Sequence, residues 1–89
     1  MNVYHVTLPD AVEALNDEFE RTRKLNGIHE ATRALCSEYV CVASSEEEAR
    51  TFPGPRTTPE HLQGRLRVMQ IASSAWGHAR LITRNFVYL

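Results

Sequence analysis

Two cysteines and four histidines are the side chains of this sequence best suited to metal binding or nucleophilic chemistry. Cys36 and Cys41, with His29 or His61, are ligand types that zinc accepts, but the Cys-x4-Cys spacing lacks the paired Cys-x2-Cys of a zinc knuckle. A cysteine nucleophile needs a positioned base and an electropositive setting, whereas both cysteines flank Glu38. We therefore expect buried, reduced thiols, no metal and no cofactor.

Arginines with interleaved aromatic residues form a second candidate site. Ten of the eleven acidic residues precede Arg50, and six of the ten basic residues lie from Arg50 onward. Guanidinium groups bind carboxylates and phosphates through paired hydrogen bonds. The predicted partner-binding residues are Arg65, Arg67, Trp76, Arg80 and Arg84. A protein partner is favoured over nucleic acid, because the sequence pI is about 6.4 and the first half is acidic. Should these arginines not bind, the acidic first half becomes the candidate surface.

The first half of the chain predicts one strand, two helices and a second strand that position these residues. Alternation predicts a strand over 2–7, and helical spacing predicts a helix over 9–25, capped by Thr7. Leu8, Val12, Leu15 and Phe19 form its expected buried stripe, and Asp17–Arg21 and Glu20–Lys24 its solvent-facing i,i+4 pairs. A shorter helical pattern covers 28–36, and a compact apolar strand over 38–43 is expected mid-sheet.

The second half predicts short helical segments and two further strands. Ser44 or Ser45 is expected to cap a short helix that Pro53-Gly54-Pro55 ends, and Thr58-Pro59-Glu60 to start one more helical turn. Strands are predicted over 66–72 and 81–89, the last with a packed end.

Size and composition limit the fold to one domain. A chain of 89 residues, 43% hydrophobic and 24% charged, has room for one core. The expected fold class is α+β, a single domain over residues 1–89 with three or four mostly antiparallel strands, two helices on one face and a short third helix. No apolar run reaches the length of a membrane span and no signal-peptide pattern follows Met1, so a cytoplasmic location and no membrane partner are expected.

Two families resemble parts of the sequence. The opening Tyr4-His5-Val6-Thr7, a following helix and the run Tyr39 to Ala49 resemble the start of ADP-ribosyltransferase-like folds, in which the strand histidine contacts the dinucleotide. Val42 to Arg50 with Pro53-Gly54 is similar to small phage and prophage proteins, a class rich in inhibitors of host machinery such as anti-CRISPR proteins. The second resemblance implies a mobile-element protein and assigns no site residues.

The sequence as a whole favours a non-enzymatic protein-binding module, an anti-CRISPR-like inhibitor of a host protein or complex encoded by a phage. Two alternatives remain open: an ADP-ribosyltransferase-like or nucleotide-binding fragment, and a nucleic-acid-binding protein that uses the C-terminal arginines. The partner, the strand order and the oligomeric state are left open.

Overall fold

The computed structural model of the chain describes residues 1–52 and 58–89. Its elements are β1 (Asn2–Thr7), α1 (Ala11–Asn26), a 3₁₀ turn (Ile28–Glu30), β2 (Ala34–Ala43), α2 (Glu46–Arg50), a 3₁₀ segment (Glu60–Arg65), β3 (Arg67–Ser73) and β4 (Arg80–Tyr88). The strands form one antiparallel sheet in the order β3-β1-β2-β4. The expected α+β class with an antiparallel sheet is confirmed.

One face of the sheet carries the hydrophobic core. Successive side chains of a strand point to opposite faces, and in β1 Tyr4 and Val6 are buried while their neighbours are partly exposed. Tyr4 pairs with Cys41, and Val6 with Tyr39. Both helices pack on this face, and the core contains Leu15 and Ala14 of α1, Ala49 of α2, Leu62, Leu66, and the strand residues Tyr4, Val6, Leu35, Tyr39 and Cys41.

The predicted second helix over 28–36 is wrong. A 3₁₀ turn occupies Ile28–Glu30, and Ala34 already pairs with Tyr88 at the start of a ten-residue β2. Gly27, at φ 86°, ends α1 in a conformation that glycine adopts without a steric penalty. Only a few residues of this segment show helical spacing. Pairing with β4 satisfies more backbone N–H and C=O groups of the segment than one isolated helical turn would.

The start and the buried stripe of α1 also differ from expectation. Thr7 pairs with Glu38 inside the sheet and cannot cap the helix, which begins after Asp10, a residue with φ 55°. Val12, expected in the buried stripe, is 62% exposed, whereas Glu18, which was not expected there, is 4% exposed. The ion pairs form at i,i+3 instead of i,i+4, between Glu18 and Arg21 (3.0 Å) and between Glu20 and Arg23 (2.8 Å).

The connection from β2 to α2 follows the predicted capping chemistry. The hydroxyl of Ser45 accepts a hydrogen bond from the backbone N–H of Glu48 at 3.1 Å, and the Glu48 carboxylate accepts one from the N–H of Ser44 at 2.8 Å. The helix ends at Arg50, which donates to the carbonyl of Leu66 at 2.6 Å. The expected stop at Pro53-Gly54-Pro55 lies outside the described residues.

The chain end is only partly packed, which corrects the expectation for 81–89. Phe86 and Val87 pack against the core, whereas Tyr88 is 74% and Leu89 53% exposed. None of the helices in the described part of the chain combines the length and the apolar character needed to cross a membrane.

Candidate functional site

The sheet has a second face, opposite the helices, which we call the open face. Cross-strand pairing defines it by three rows that run across all four strands, Ala72-Val3-Val42-Arg80, Met69-His5-Val40-Thr83 and Arg67-Thr7-Glu38-Asn85. Apart from the buried Val42, the side chains of these rows are partly or fully exposed. The open face is therefore a regular and accessible surface that a partner could contact.

A hydrogen-bonded group of three side chains lies on the open face. His5 Nε2 is 2.9 Å from a carboxylate oxygen of Glu38, and the Asn85 amide donates to the other oxygen at 2.7 Å. The hydrogen bond from His5, followed by that from Asn85, holds the pKa of Glu38 below its usual range. The carboxylate is thus ionised and both of its oxygens are engaged within the sheet.

Trp76 and Arg80 meet at one end of the sheet. The Arg80 guanidinium lies 4.2 Å from the centre of the Trp76 ring, a cation–π contact, and both residues are exposed. Arg80 pairs with Val42, which is 1% exposed although it lies outside the core cluster. The strand order requires the connection 74–79 to pass from the β3 edge to the β4 edge at this end.

The five predicted partner-binding residues are all exposed but do not form one patch. Arg67 lies on β3 and Arg80 on β4, the two outer strands, which are about 14 Å apart at three strand spacings. Arg84 pairs with Tyr39 and so lies on the core-facing side of β4, where its guanidinium is 5.3 Å from the Phe86 ring centre. Arg65 ends the 3₁₀ segment that precedes β3. The structure therefore brings together only Trp76 and Arg80.

A second charged group, which sequence reasoning missed, joins α1 to the segment before β3. Glu18 is 4% exposed; Arg21 donates to it from Nε at 3.2 Å and from the terminal nitrogen at 3.0 Å. His61 Nε2 lies 2.5 Å from the carboxylate. The hydrogen bond from Arg21 is the main cause that lowers the pKa of Glu18, against the opposing effect of burial. Because Glu18 bridges two elements inside the molecule, we assign it to stability.

The cysteines are arranged as structural residues. Both are buried, and burial raises the pKa of Cys36 above its usual range and that of Cys41 to about 11. The Cys36 thiol donates to the backbone carbonyl of Glu38 at 3.2 Å. Thiols with such pKa values stay protonated near neutral pH and are poor nucleophiles.

Residues 1–52 and 58–89 contain no group of three or more histidine, cysteine or acidic side chains placed to hold a metal ion. His5 with Glu38 supplies two ligand types and His61 with Glu18 two more, in separate parts of the molecule. A shallow depression on α1, lined by Asp17, Glu20, Arg21, Lys24 and Leu25, opens directly to solvent.

The missed residues left a faint signal in the sequence. His5 was expected on the face opposite Tyr4 and Val6, and it lies there, but the sequence did not show that Glu38 and Asn85 would be its neighbours.

Comparison of the chain with protein-family models, curated proteins and solved structures finds no match in any of the three.

Proposed function

We propose that this chain is a non-enzymatic protein-binding module whose contact surface is the open face of its sheet. The observation that carries the proposal is exposed apolar surface on and beside that face. Met69 is 65% exposed at the β3 end of its row, and Ile71 and Ile82 on the two outer strands are 53% and 48% exposed. Exposed apolar side chains grouped on a regular surface are typical of interaction sites.

Charge supports a protein partner with acidic groups. Arg67 and Arg80 have no carboxylate within ion-pair distance among the described residues, and Glu38 is already bound by His5 and Asn85. The open face therefore presents apolar side chains between unpaired guanidinium groups, which favour carboxylates of a partner and steer its approach. The resemblance to phage proteins suggests a host protein complex as the partner and inhibition, in the cytoplasm, as the outcome.

Affinity capture from a host lysate, repeated with matched variants, tests this proposal. Met69→Asp and Trp76→Ala are expected to lose the captured partner, because each removes apolar contact from the surface or its end. Val12→Asp and Leu25→Asp are the controls, since these α1 residues are 62% and 68% exposed but lie on the other side of the molecule. Retention of the partner by both sheet variants and its loss in the α1 variants would place the contact on the helix and refute the proposal.

Nucleic-acid binding is a second candidate, favoured by one observation. The Trp76 ring with Arg80 stacked on it is the kind of group that binds an unpaired base. In that case single arginine variants would weaken binding about equally and flatten the dependence of log affinity on log salt. A protein partner would instead show a loss concentrated in one or two residues.

The transferase alternative depends on His5. His5 lies on the open face and is hydrogen-bonded to Glu38, so residues 1–52 and 58–89 form no enclosed site for a dinucleotide around it. Transfer of label from NAD to lysate proteins would support this alternative over binding alone.

A further inference from the structure

Strand β4 is an outer strand with a free hydrogen-bonding edge. Within the described residues it pairs only with β2. The N–H of Leu89 donates to the Arg33 carbonyl at 2.9 Å, and the Asn85 carbonyl accepts from the Ser37 hydroxyl at 3.2 Å, so the odd-numbered residues of this stretch face β2. Backbone groups alternate sides along a strand. Those of Arg84, Phe86 and Tyr88 therefore point away from the sheet.

The regularity of β4 distinguishes it from the other edge. The β1–β3 ladder shifts register between Val3 and Tyr4, which makes Ile71 an extra residue in the middle of β3. The β2–β4 ladder shifts register twice. The shift between Val40 and Cys41 makes Ile82 an extra residue near the beginning of β4, whereas the shift between Cys36 and Glu38 adds Ser37 to β2, so β4 itself continues without another extra residue to Tyr88. A bulge interrupts the row of backbone groups that an added strand would use. The β4 edge is thus the better template for pairing.

The side chains along this edge specify what could pair with it. Arg84 is exposed, lies over Phe86 and has no carboxylate within ion-pair distance among the described residues. Ile82 and Tyr88, which flank this pair, are 48% and 74% exposed. A charge on the core-facing side of an outer strand disfavours an all-apolar neighbour. A carboxylate opposite Arg84 would remove that penalty.

We infer that the β4 edge binds an extended segment of a partner protein by strand addition. The segment carries an acidic residue opposite Arg84 and apolar residues two positions to either side. Main-chain hydrogen bonds to Arg84, Phe86 and Tyr88 supply the pairing, and alternate side chains supply the selectivity. This inference rests on the proposed function, because it names the chemistry of a protein partner.

A second copy of the chain fits this edge less well. Residues 80–88 contain no acid, so pairing between two β4 strands brings no carboxylate to Arg84. The antiparallel register centred on the middle of the strand places Arg84 opposite its own copy, and like charges directly opposite destabilise a pair of strands. The occupant is therefore a different chain.

Selection from a display library of nine-residue peptides against the full chain tests the inference. Enriched peptides are expected to share one acidic position with apolar residues two positions before and after it. Selection against Arg84→Glu should enrich peptides with lysine or arginine at the acidic position. A peptide selected with the unmodified chain should bind Arg84→Glu about tenfold more weakly, because the attraction between the two side chains becomes repulsion. Arg67→Glu, on the opposite edge, is the matched control and should keep the original preference.

The pairing mode is tested with one enriched peptide made synthetically. N-methylation of its edge-facing amides should abolish binding, whereas methylation of the alternate amides should not, and hydrogen exchange should slow at Arg84, Phe86 and Tyr88. No enrichment, the same preference with Arg84→Glu, or equal effects of both methylation patterns would overturn the inference. Failure of the proposed function is a different result, because it is measured by capture of the lysate partner with Met69→Asp and not by peptide binding.

Discussion

Replacing Glu18 by Gln tests whether the buried carboxylate bridges α1 and the segment before β3. Glu18 accepts two hydrogen bonds from Arg21 and one from His61, and hydrogen bonds to charged groups contribute about 1.5–3 kcal/mol each. The side chains of Arg21 and His61 are 50% and 48% exposed, so solvent screens much of this energy. Glutamine keeps one acceptor oxygen and turns an N–H group toward donors. We expect the free energy of unfolding to fall by about 2 kcal/mol at pH 7.

The lowered pKa of Glu18 predicts how the loss of stability in Glu18→Gln changes with pH. Because the pKa of Glu18 is lowered in the folded protein from the ordinary value of 4.5, its ionised form stabilises the fold above that pH, and this stabilisation is lost as the pH falls through the lower, folded-state pKa. The deficit of Glu18→Gln should therefore be full at pH 7 and should narrow progressively below pH 4.5. In a domain of this size 2 kcal/mol corresponds to a fall of about 8–16 °C in Tm.

Thermal unfolding followed by circular dichroism at several pH values measures both quantities. Glu20→Gln is the matched control, because Glu20 forms the same kind of i,i+3 pair with Arg23 at an exposed position of the same helix. Its Tm should stay close to that of the wild type. Equal Tm values for the two variants at pH 7, or a deficit of Glu18→Gln that does not change in acid, would show that the buried carboxylate does not hold these elements together.

Two further predictions concern α2 and the cysteines. Ser45→Ala should lower the free energy of unfolding by about 1 kcal/mol in chemical denaturation, because its hydroxyl caps α2, while Ser44→Ala should not, since only the backbone N–H of Ser44 is used; the reverse order would contradict the assignment of the cap. Cys36 and Cys41 should resist alkylation in the folded protein at pH 8 and react fully in denaturant, because both thiols are buried with raised pKa values; rapid alkylation of the native protein, followed by mass spectrometry, would show that one of them is accessible.

The strands were largely predictable because their signal is local. Residues 2–7 match β1 at both ends, and the predicted strands 66–72 and 81–89 each lie within one residue of β3 and β4. Alternation of side chains follows from the geometry of a strand alone, so the faces of Tyr4 and Val6 could be assigned before any neighbour was known.

The errors concern segments whose state depends on distant residues. Residues 34–36 join β2 because Phe86 to Tyr88 pair with them, and nothing within 28–36 reveals those partners. The carboxylate of Glu18 is buried with two partners, Arg21 on the same helix and His61, which is far away in sequence. Helical spacing alone predicts an apolar stripe and cannot anticipate that a charged residue will find partners there.

The sequence predicted the residue types of the candidate site but not their positions in the fold. The sequence showed which arginines and aromatic residues were available, and Trp76 with Arg80 does form a stacked pair. It did not show that β3 and β4 lie on opposite edges, which separates Arg67 from Arg80. Nor did it show the register with Tyr39 that puts Arg84 on the core-facing side of β4. Strand order is a property of the whole chain, and no local pattern specifies it.

The strand order also affects how the chain reaches its native state. β3 and β4 are consecutive in sequence but occupy opposite edges, and β1 must pair with a segment as remote as Ser73. No two described strands are joined by a tight hairpin, so every ladder requires the closure of a long loop before its first hydrogen bonds form. We therefore expect local structure in α1 and α2 to form before the sheet, whose assembly should be slow because of the entropic cost of closing these loops.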